Sequence, residues 1–322
     1  MEAVVLREFG PPDVLRPEDV PAPSAGPGEV AIGVEFASIT FVETQIRAGR
    51  PPNPAMLPAL PAILGNGVGG TVIEVGAGAD PGLLGRRVVT ALGGQGGYAE
   101  QAVAPATGLI EVQNGLLLRD ATALLADGRT ALGLIDLAGI GKSDTVLIEA
   151  AAGGVGTLLV QFARNAGAKV IALAGTERKL AVPRDLGADL VVDYRDPDWP
   201  SLVRAGAGRV DVVFDGVGGR TGLAAFNLLG PGGRFCPFGM ASGGFAPVDP
   251  ELARERDVIV LRGAPPDPAR LRALSAAALD QAAAGRIHPV IGQEFPLSQA
   301  ARAHAAIESR AAIGKTLLTT TR

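Results

Sequence analysis

The stretch Val146-Leu147-Ile148-Glu149-Ala150-Ala151-Ala152-Gly153-Gly154-Val155-Gly156-Thr157-Leu158-Leu159 constrains the fold more than any other part of the chain. An apolar strand runs through a glycine turn straight into an apolar helix, which is how a βαβ unit opens. In the G-x-G-x-x-G register the positions are Ala151, Gly153 and Gly156. The middle glycine lets backbone approach a pyrophosphate and the third lets the helix pack on the strand; alanine stands in the first place. Helix N-terminal amides from about 154 to 157 are expected to bind the anion. Strand–helix packing alone is the plainer account of such glycines, but the mid-chain βαβ context favours a dinucleotide.

Strands and helices alternate downstream: TVLIEA (145–150), VGTLLVQFARNAG (155–167), KVIALA (169–174), ERKLAVPRDLG (177–187), DLVVDY (189–194) and RVDVVFDGVG (209–218). The alternation predicts a parallel sheet, to which GRFCPFGMAS (233–242) and DVIVLRG (257–263) add two strands. Residues 1 to 120 read instead as short strands punctuated by glycine and proline. The last sixty residues hold two helices, the first with Asp267 as N-cap, Pro268 at its first position and Gly285 near its end. With 322 residues there is chain for about two domains. The expected fold is α/β: a Rossmann-type parallel-sheet domain over 122–258, inserted in a β-rich domain made of 1–121 and 259–322.

The second strand tells which nucleotide. It ends Leu173-Ala174-Gly175-Thr176, where an NAD site places a carboxylate for the ribose 2′-hydroxyl. Thr176 offers a hydroxyl instead, and Arg178 and Lys179 follow. Solvated helix charges are the ordinary reading of those two cations; the missing acid favours a 2′-phosphate, hence NADPH over NADH.

Composition removes other classes. Lys and Arg total 29 against 33 Asp and Glu, leaving no basic excess for a nucleic acid. The lone Cys236 forms no intrachain disulfide and fits a reducing compartment, so the expected location is cytoplasmic. The most apolar stretch, near 121–141, is broken by Asp127, Arg129 and Asp136, so no membrane span is expected.

These residues, with Gly128-Arg129-Thr130-Ala131, Asp215-Gly216-Val217-Gly218-Gly219 and Phe238-Gly239, resemble the zinc-independent quinone oxidoreductases related to zeta-crystallin, in the medium-chain dehydrogenase/reductase superfamily. Ile46-Arg47-Ala48-Gly49, Gly97-Tyr98-Ala99-Glu100, Asp185-Leu186-Gly187-Ala188-Asp189, Asp193-Tyr194 and Ile313-Gly314-Lys315-Thr316-Leu317-Leu318 extend the likeness along nearly the whole chain. The resemblance implies a GroES-like domain from both chain ends and NADPH in an interdomain cleft. It sets Thr130 by the nicotinamide, Gly153, Gly154 and Val155 by the pyrophosphate, and Thr176, Lys179 and Tyr194 by the adenosine 2′-phosphate, with Gly175 also expected to bind the cofactor. Val217, Phe238 and Gly239 border the ribose and nicotinamide, and Arg262 is in reach of cofactor or substrate or is a surface charge.

The departures concern the acceptor. Relatives read Asn-Pro-x-Asp or Asn-Phe-x-Asp followed by Thr-Tyr, whereas this chain reads Thr40-Phe41-Val42-Glu43-Thr44-Gln45. Thr40, Phe41, Gln45 and Met240 are the acceptor-pocket candidates, with no certain catalytic residue; Glu43 is expected to pair with Arg47 across one helical turn. Where zinc-dependent relatives carry Gly-His-Glu, this chain has Gly65-Asn66-Gly67, and one cysteine and two histidines assemble neither zinc site. His288 and His304 are expected to be structural or surface residues, and Cys236 a buried hydrophobe.

Quinones and conjugated enones need less help from a Lewis acid than alcohol–ketone exchange does, since the oxyanion formed by hydride addition is delocalised. The expected activity is NADPH-dependent quinone reduction. Reduction of α,β-unsaturated carbonyls is the alternative, and a non-catalytic NADPH-binding structural or regulatory role a third. The resemblance also implies a homodimer in which GRFCPFG and DVIVLRG pair edge to edge.

Overall fold

The computed structural model describes residues 1–263 and 267–320. They form two compact units, one of residues 1–129 with the chain from Leu271 onward, the other Thr130–Arg270. The chain passes between them inside two helices, Leu118–Ala138 and Pro268–Ala283.

The first unit contains β1 (Glu2–Leu6), β2 (Leu15–Asp19), β3 (Glu29–Ile39), α1 (Phe41–Arg47), β4 (Ala62–Ile63), β5 (Gly67–Val75), β6 (Arg87–Ala91), β7 (Gln101–Pro105), β8 (Ile110–Glu111) and the start of α2 (Leu118–Ala138). Its main sheet runs β15-β16-β3-β5-β6-β8, with β7 also on β3; here β15 is Ile291–Pro296 and β16 is Lys315–Thr319. Val30, Ile32, Val72 and Val88 fill one core. Leu6, Val34, Ile39, Leu64 and Leu318 fill a second, closed by Ala300 and Ala303 of the helix Ala300–Glu308. Neither C-terminal strand was expected from its sequence. The helix Pro268–Ala283 begins as expected: Asp267 Oδ1 and Oδ2 accept from the N–H groups of Ala269 and Arg270 at 3.2 and 3.3 Å.

The second unit contains β9 (Thr145–Ile148), α3 (Gly154–Asn165), β10 (Lys169–Ala174), α4 (Glu177–Asp185), β11 (Leu190–Asp193), α5 (Trp199–Ala207), β12 (Val210–Asp215), α6 (Gly219–Phe226), β13 (Leu229–Pro237), α7 (Pro250–Glu255) and β14 (Ile259–Val260). The strands are parallel in the order β11-β10-β9-β12-β13-β14. This is the doubly wound dinucleotide-binding order, whose direction reverses between β9 and β12. Val146, Leu147, Ile148, Val170, Ile171, Val212, Val213 and Phe214 have no exposed surface, because helices cover both faces of such a sheet. One expectation needs correcting. GRFCPFG is not an edge strand: β13 lies between β12 and β14, and at that end of the sheet the short β14, with Ile259 half exposed, is the edge, β11 being the edge at the other end.

Candidate cofactor and acceptor site

The glycine turn follows β9. Ala150 adopts φ 48°, a left-handed backbone in a residue other than glycine. Gly153, whose N–H bonds Ala150 O at 2.8 Å, is the N-cap of α3. A Cβ on Gly156 would stand 2.3 Å from Ala150 O, so only glycine lets the helix start this close to the strand end. The first amides of α3 have no carbonyl one turn back to bond, and with the helix dipole they are donors that suit an anion, whereas Gly153 N–H is already spent on Ala150 O.

At the end of β10 the chain turns at Gly175 into Thr176, the N-cap of α4. Thr176 Oγ1 accepts from Lys179 N–H at 3.2 Å, and its own proton is left to donate. A Cβ on Gly175 would lie 3.1 Å from Tyr194 Oη, so the phenol sits over this turn. Gly175, Thr176 and Tyr194 are thus brought together, with the Lys179 backbone bonded to Thr176. The nearby acids are engaged: Asp193 binds Arg195 at 2.6 Å, which lowers its pKa, and Glu177 binds Arg184 at 3.1 Å.

At the ends of β12 and β13, Asp215 O accepts from the N–H groups of Phe238 and Gly239 at 2.9 and 3.1 Å, and Val217 O from Ser242 N–H at 2.8 Å. Val217, Phe238 and Gly239 therefore belong to one pair of bonded turns. Arg262 follows β14 and is exposed. Buried Cys236 has its thiol pKa pushed up to about 12 by burial, so it is an inert hydrophobe.

In the first unit Thr40 caps α1, Phe41 is 39% exposed, and Gln45 Nε2 donates to Thr44 Oγ1 at 3.2 Å. Met240 belongs to the second unit, where its carbonyl accepts from Gly243 N–H at 2.9 Å. The expected pairing of Glu43 with Arg47 does not occur. Glu43 turns back to its own helix N-terminus, where Oε2 accepts from Thr40 N–H (2.5 Å) and Thr40 Oγ1–H (2.8 Å) and Oε1 from Asn66 N–H (2.8 Å). Arg47 points the other way, to Gly10 O and Glu308. Burial raises the Glu43 pKa against those donors. Asn66 Oδ1 accepts from Gly94 N–H at 2.9 Å.

Sequence reasoning missed two further polar features of this unit. Tyr98 and His304 are both fully buried and in contact, and burial drops the His304 pKa to about 3. Lys315 Nζ donates to Asp127 Oδ1 at 2.8 Å, both nearly buried. Half-buried Arg129, two residues on, is attracted by Asp127 yet makes no hydrogen bond or ion pair among the described residues. Distant-sequence pairing of this kind has no periodic signature.

The comparisons bear on both units. Residues 26–114 match the alcohol dehydrogenase GroES-like domain and residues 186–318 the zinc-binding dehydrogenase family. The chain is 33% identical over 327 residues to a 2-haloacrylate reductase from Burkholderia sp, covering 98% of each, and 30% identical over 325 residues to human quinone oxidoreductase, covering 99% of this chain and 97% of that one. The chain belongs to the quinone oxidoreductase-like branch of the medium-chain dehydrogenase/reductase superfamily. Escherichia coli quinone oxidoreductase, solved with NADPH, superposes with a TM-score of 0.88 at 30% identity over 99% of this chain and 100% of that one. A mycobacterial member solved with NADPH gives 0.87 at 34% identity over 99% of both chains. Among the described residues of this branch member, no three or more His, Cys, Asp or Glu side chains cluster as a metal would require.

Proposed function

We propose that this chain is a zinc-independent, NADPH-dependent reductase that passes hydride to a quinone-like acceptor. The observation that carries the reading is the turn after β10, where the Tyr194 phenol sits over Gly175, Thr176 caps α4, Lys179 follows in the first turn of α4, and the neighbouring acids Asp193 and Glu177 are held by arginines. That set fits a 2′-phosphate: a hydroxyl donor, an ammonium and a phenol. The Gly156 cradle and the α3 N-terminus fit the pyrophosphate, with Gly153, Gly154 and Val155 lining it. Thr130, Val217, Phe238, Gly239 and Arg262 serve the nicotinamide half. NADPH, when bound, supplies the hydride and leaves as NADP+. Thr40, Phe41, Gln45 and Met240 orient the acceptor, and the product proton comes from solvent. Cytoplasmic location, supported by the lone buried Cys236, and a homodimer formed through the β14 edge complete the reading.

Arg129 favours a second reading. A half-buried guanidinium with its five donors unspent suits an acceptor that carries a carboxylate, such as a substituted acrylate, and the Burkholderia relative bears such a name. Parallel NADPH-oxidation assays with quinones, neutral enones and unsaturated carboxylates decide between them. Turnover confined to quinones supports the first, and a carboxylate preference lost in Arg129→Leu supports the second. Tight NADPH binding without turnover on any class replaces both with a non-catalytic role.

A further inference from the structure

Two acids at the switch point of the parallel sheet have no part in the reading above. Strands β9 and β12 pair Val146 with Val212, Leu147 with Val213 and Ile148 with Phe214. The next residues along, Glu149 and Asp215, therefore stand side by side where the two strands reach the site. Neither has exposed surface. Their carboxyls are within hydrogen-bond reach of each other, and the groups acting on Glu149 are Asp215 and the Val217 backbone, with no cation among them.

The pair holds the following turn from two sides. Val217 N–H donates to Glu149 Oε2 and to Asp215 Oδ1, both at 3.1 Å, and Gly218 N–H donates to Asp215 Oδ1 at 2.6 Å. Glu149 Oε1 and Asp215 Oδ2 are left buried without a donor. Two adjacent anions with no counter-ion are prohibitive at such a place, and one proton between the carboxyls is the donor that the pair lacks. Burial and Asp215 accordingly push the Glu149 pKa well above the usual carboxylate range.

We propose that Glu149 and Asp215 are a proton-sharing positioning pair that holds the Val217–Gly219 turn in its NADPH-binding shape. The inference rests on the cofactor reading above for the role of Val217. Asp215 also anchors Phe238 and Gly239 through its carbonyl, and Glu149 N–H bonds Phe214 O one residue before the glycine turn. Losing the proton therefore sets like charges against each other beneath three backbone segments that face the cofactor.

The test uses the full chain, with NADPH affinity read by fluorescence titration from about pH 6 to about pH 10, and melting curves without cofactor over the same range. Wild-type affinity falls about tenfold or more on the alkaline side, the equivalent of one pKa unit of coupling. Glu149→Gln, whose amide N–H replaces the proton, keeps its neutral-pH affinity and shows no alkaline fall. Glu149→Ala, folded by circular dichroism, binds about tenfold more weakly at every pH. The melting temperature of wild type declines with rising pH more steeply than that of Glu149→Gln, since the folded state holds the extra proton. Equal pH slopes for wild type and Glu149→Gln in both measurements overturn the shared proton. Unequal melting slopes with equal affinity slopes overturn its role in positioning. A wild type that binds no NADPH at any pH fails the cofactor reading itself, and the melting curves then still decide the proton.

Discussion

Tyr98 Oη lies 3.1 Å from His304 Nε2, ring edge to ring face, although 206 residues separate them. His304 Nδ1 has no partner, so a proton there would be a buried, unsatisfied donor. The tautomer with its proton on Nε2 leaves only a lone pair unmet, and it frees the Tyr98 proton to face the Glu43 carboxylate.

The His304 pKa of about 3 sets an acid limit on stability. The unfolded chain takes up a proton near pH 6.5, the folded chain only near 3, so stability is full above about 6.5 and declines as pH falls toward 3. Urea unfolding at stepped pH is expected to show this decline in wild type and a shallower one in His304→Gln. Parallel pH curves for the two proteins would refute it.

Glu43→Ala removes the acceptor of two donors on Thr40 and one on Asn66, and the group that the Tyr98 hydroxyl faces. The expected cost is about 2–4 kcal/mol, from buried donors left unmet and the loss of the helix cap. Urea denaturation measures it, and a change below about 0.5 kcal/mol contradicts the hub role.

Lys315→Met leaves Asp127 nearly buried without its ammonium, with only Arg129 nearby. A loss of about 3–5 kcal/mol is expected, because breaking one side of a buried pair strands the other charge. The double variant with Asp127→Leu is expected to recover most of it, and a failure to recover would assign the loss to packing instead.

Lys179→Ala is expected to weaken NADPH binding about tenfold to a hundredfold while leaving NADH binding within about twofold, the worth of one charge-assisted bond to phosphate. Calorimetry with both cofactors reads the ratio. Equal losses for the two would remove Lys179 from the 2′-phosphate site.

What the sequence made legible follows from periodicity. The buried parallel strands β9, β10 and β12 are near-continuous apolar runs between helical stretches, so their existence and order could be read directly. The glycine turn was legible as a motif, but the left-handed backbone at Ala150 was not, because alanine gives no sign of it. β15 and β16 escaped because Gly292 interrupts the first, Pro296 ends it and Gly314 precedes the second, and because β16 finds its partner β3 far away in sequence. The Glu43–Arg47 expectation failed for a related reason. Helical spacing permits that pair, yet Arg47 finds Glu308, 261 residues distant, and Glu43 finds the unmet N–H groups of its own helix start.

The pairing of β16 with β3 has a consequence for biosynthesis. Thr319 bonds alongside Phe36, and Thr316 alongside Ile39, so the 36–39 half of one side of β3 stays open until the segment after the inserted unit has been made, while β7 covers the 29–33 half. The inserted unit is contiguous in sequence and is free to fold while that edge waits. During this interval the exposed backbone of β3 is a ready partner for any stray strand, which makes translation speed and chaperone cover in that window a determinant of soluble yield.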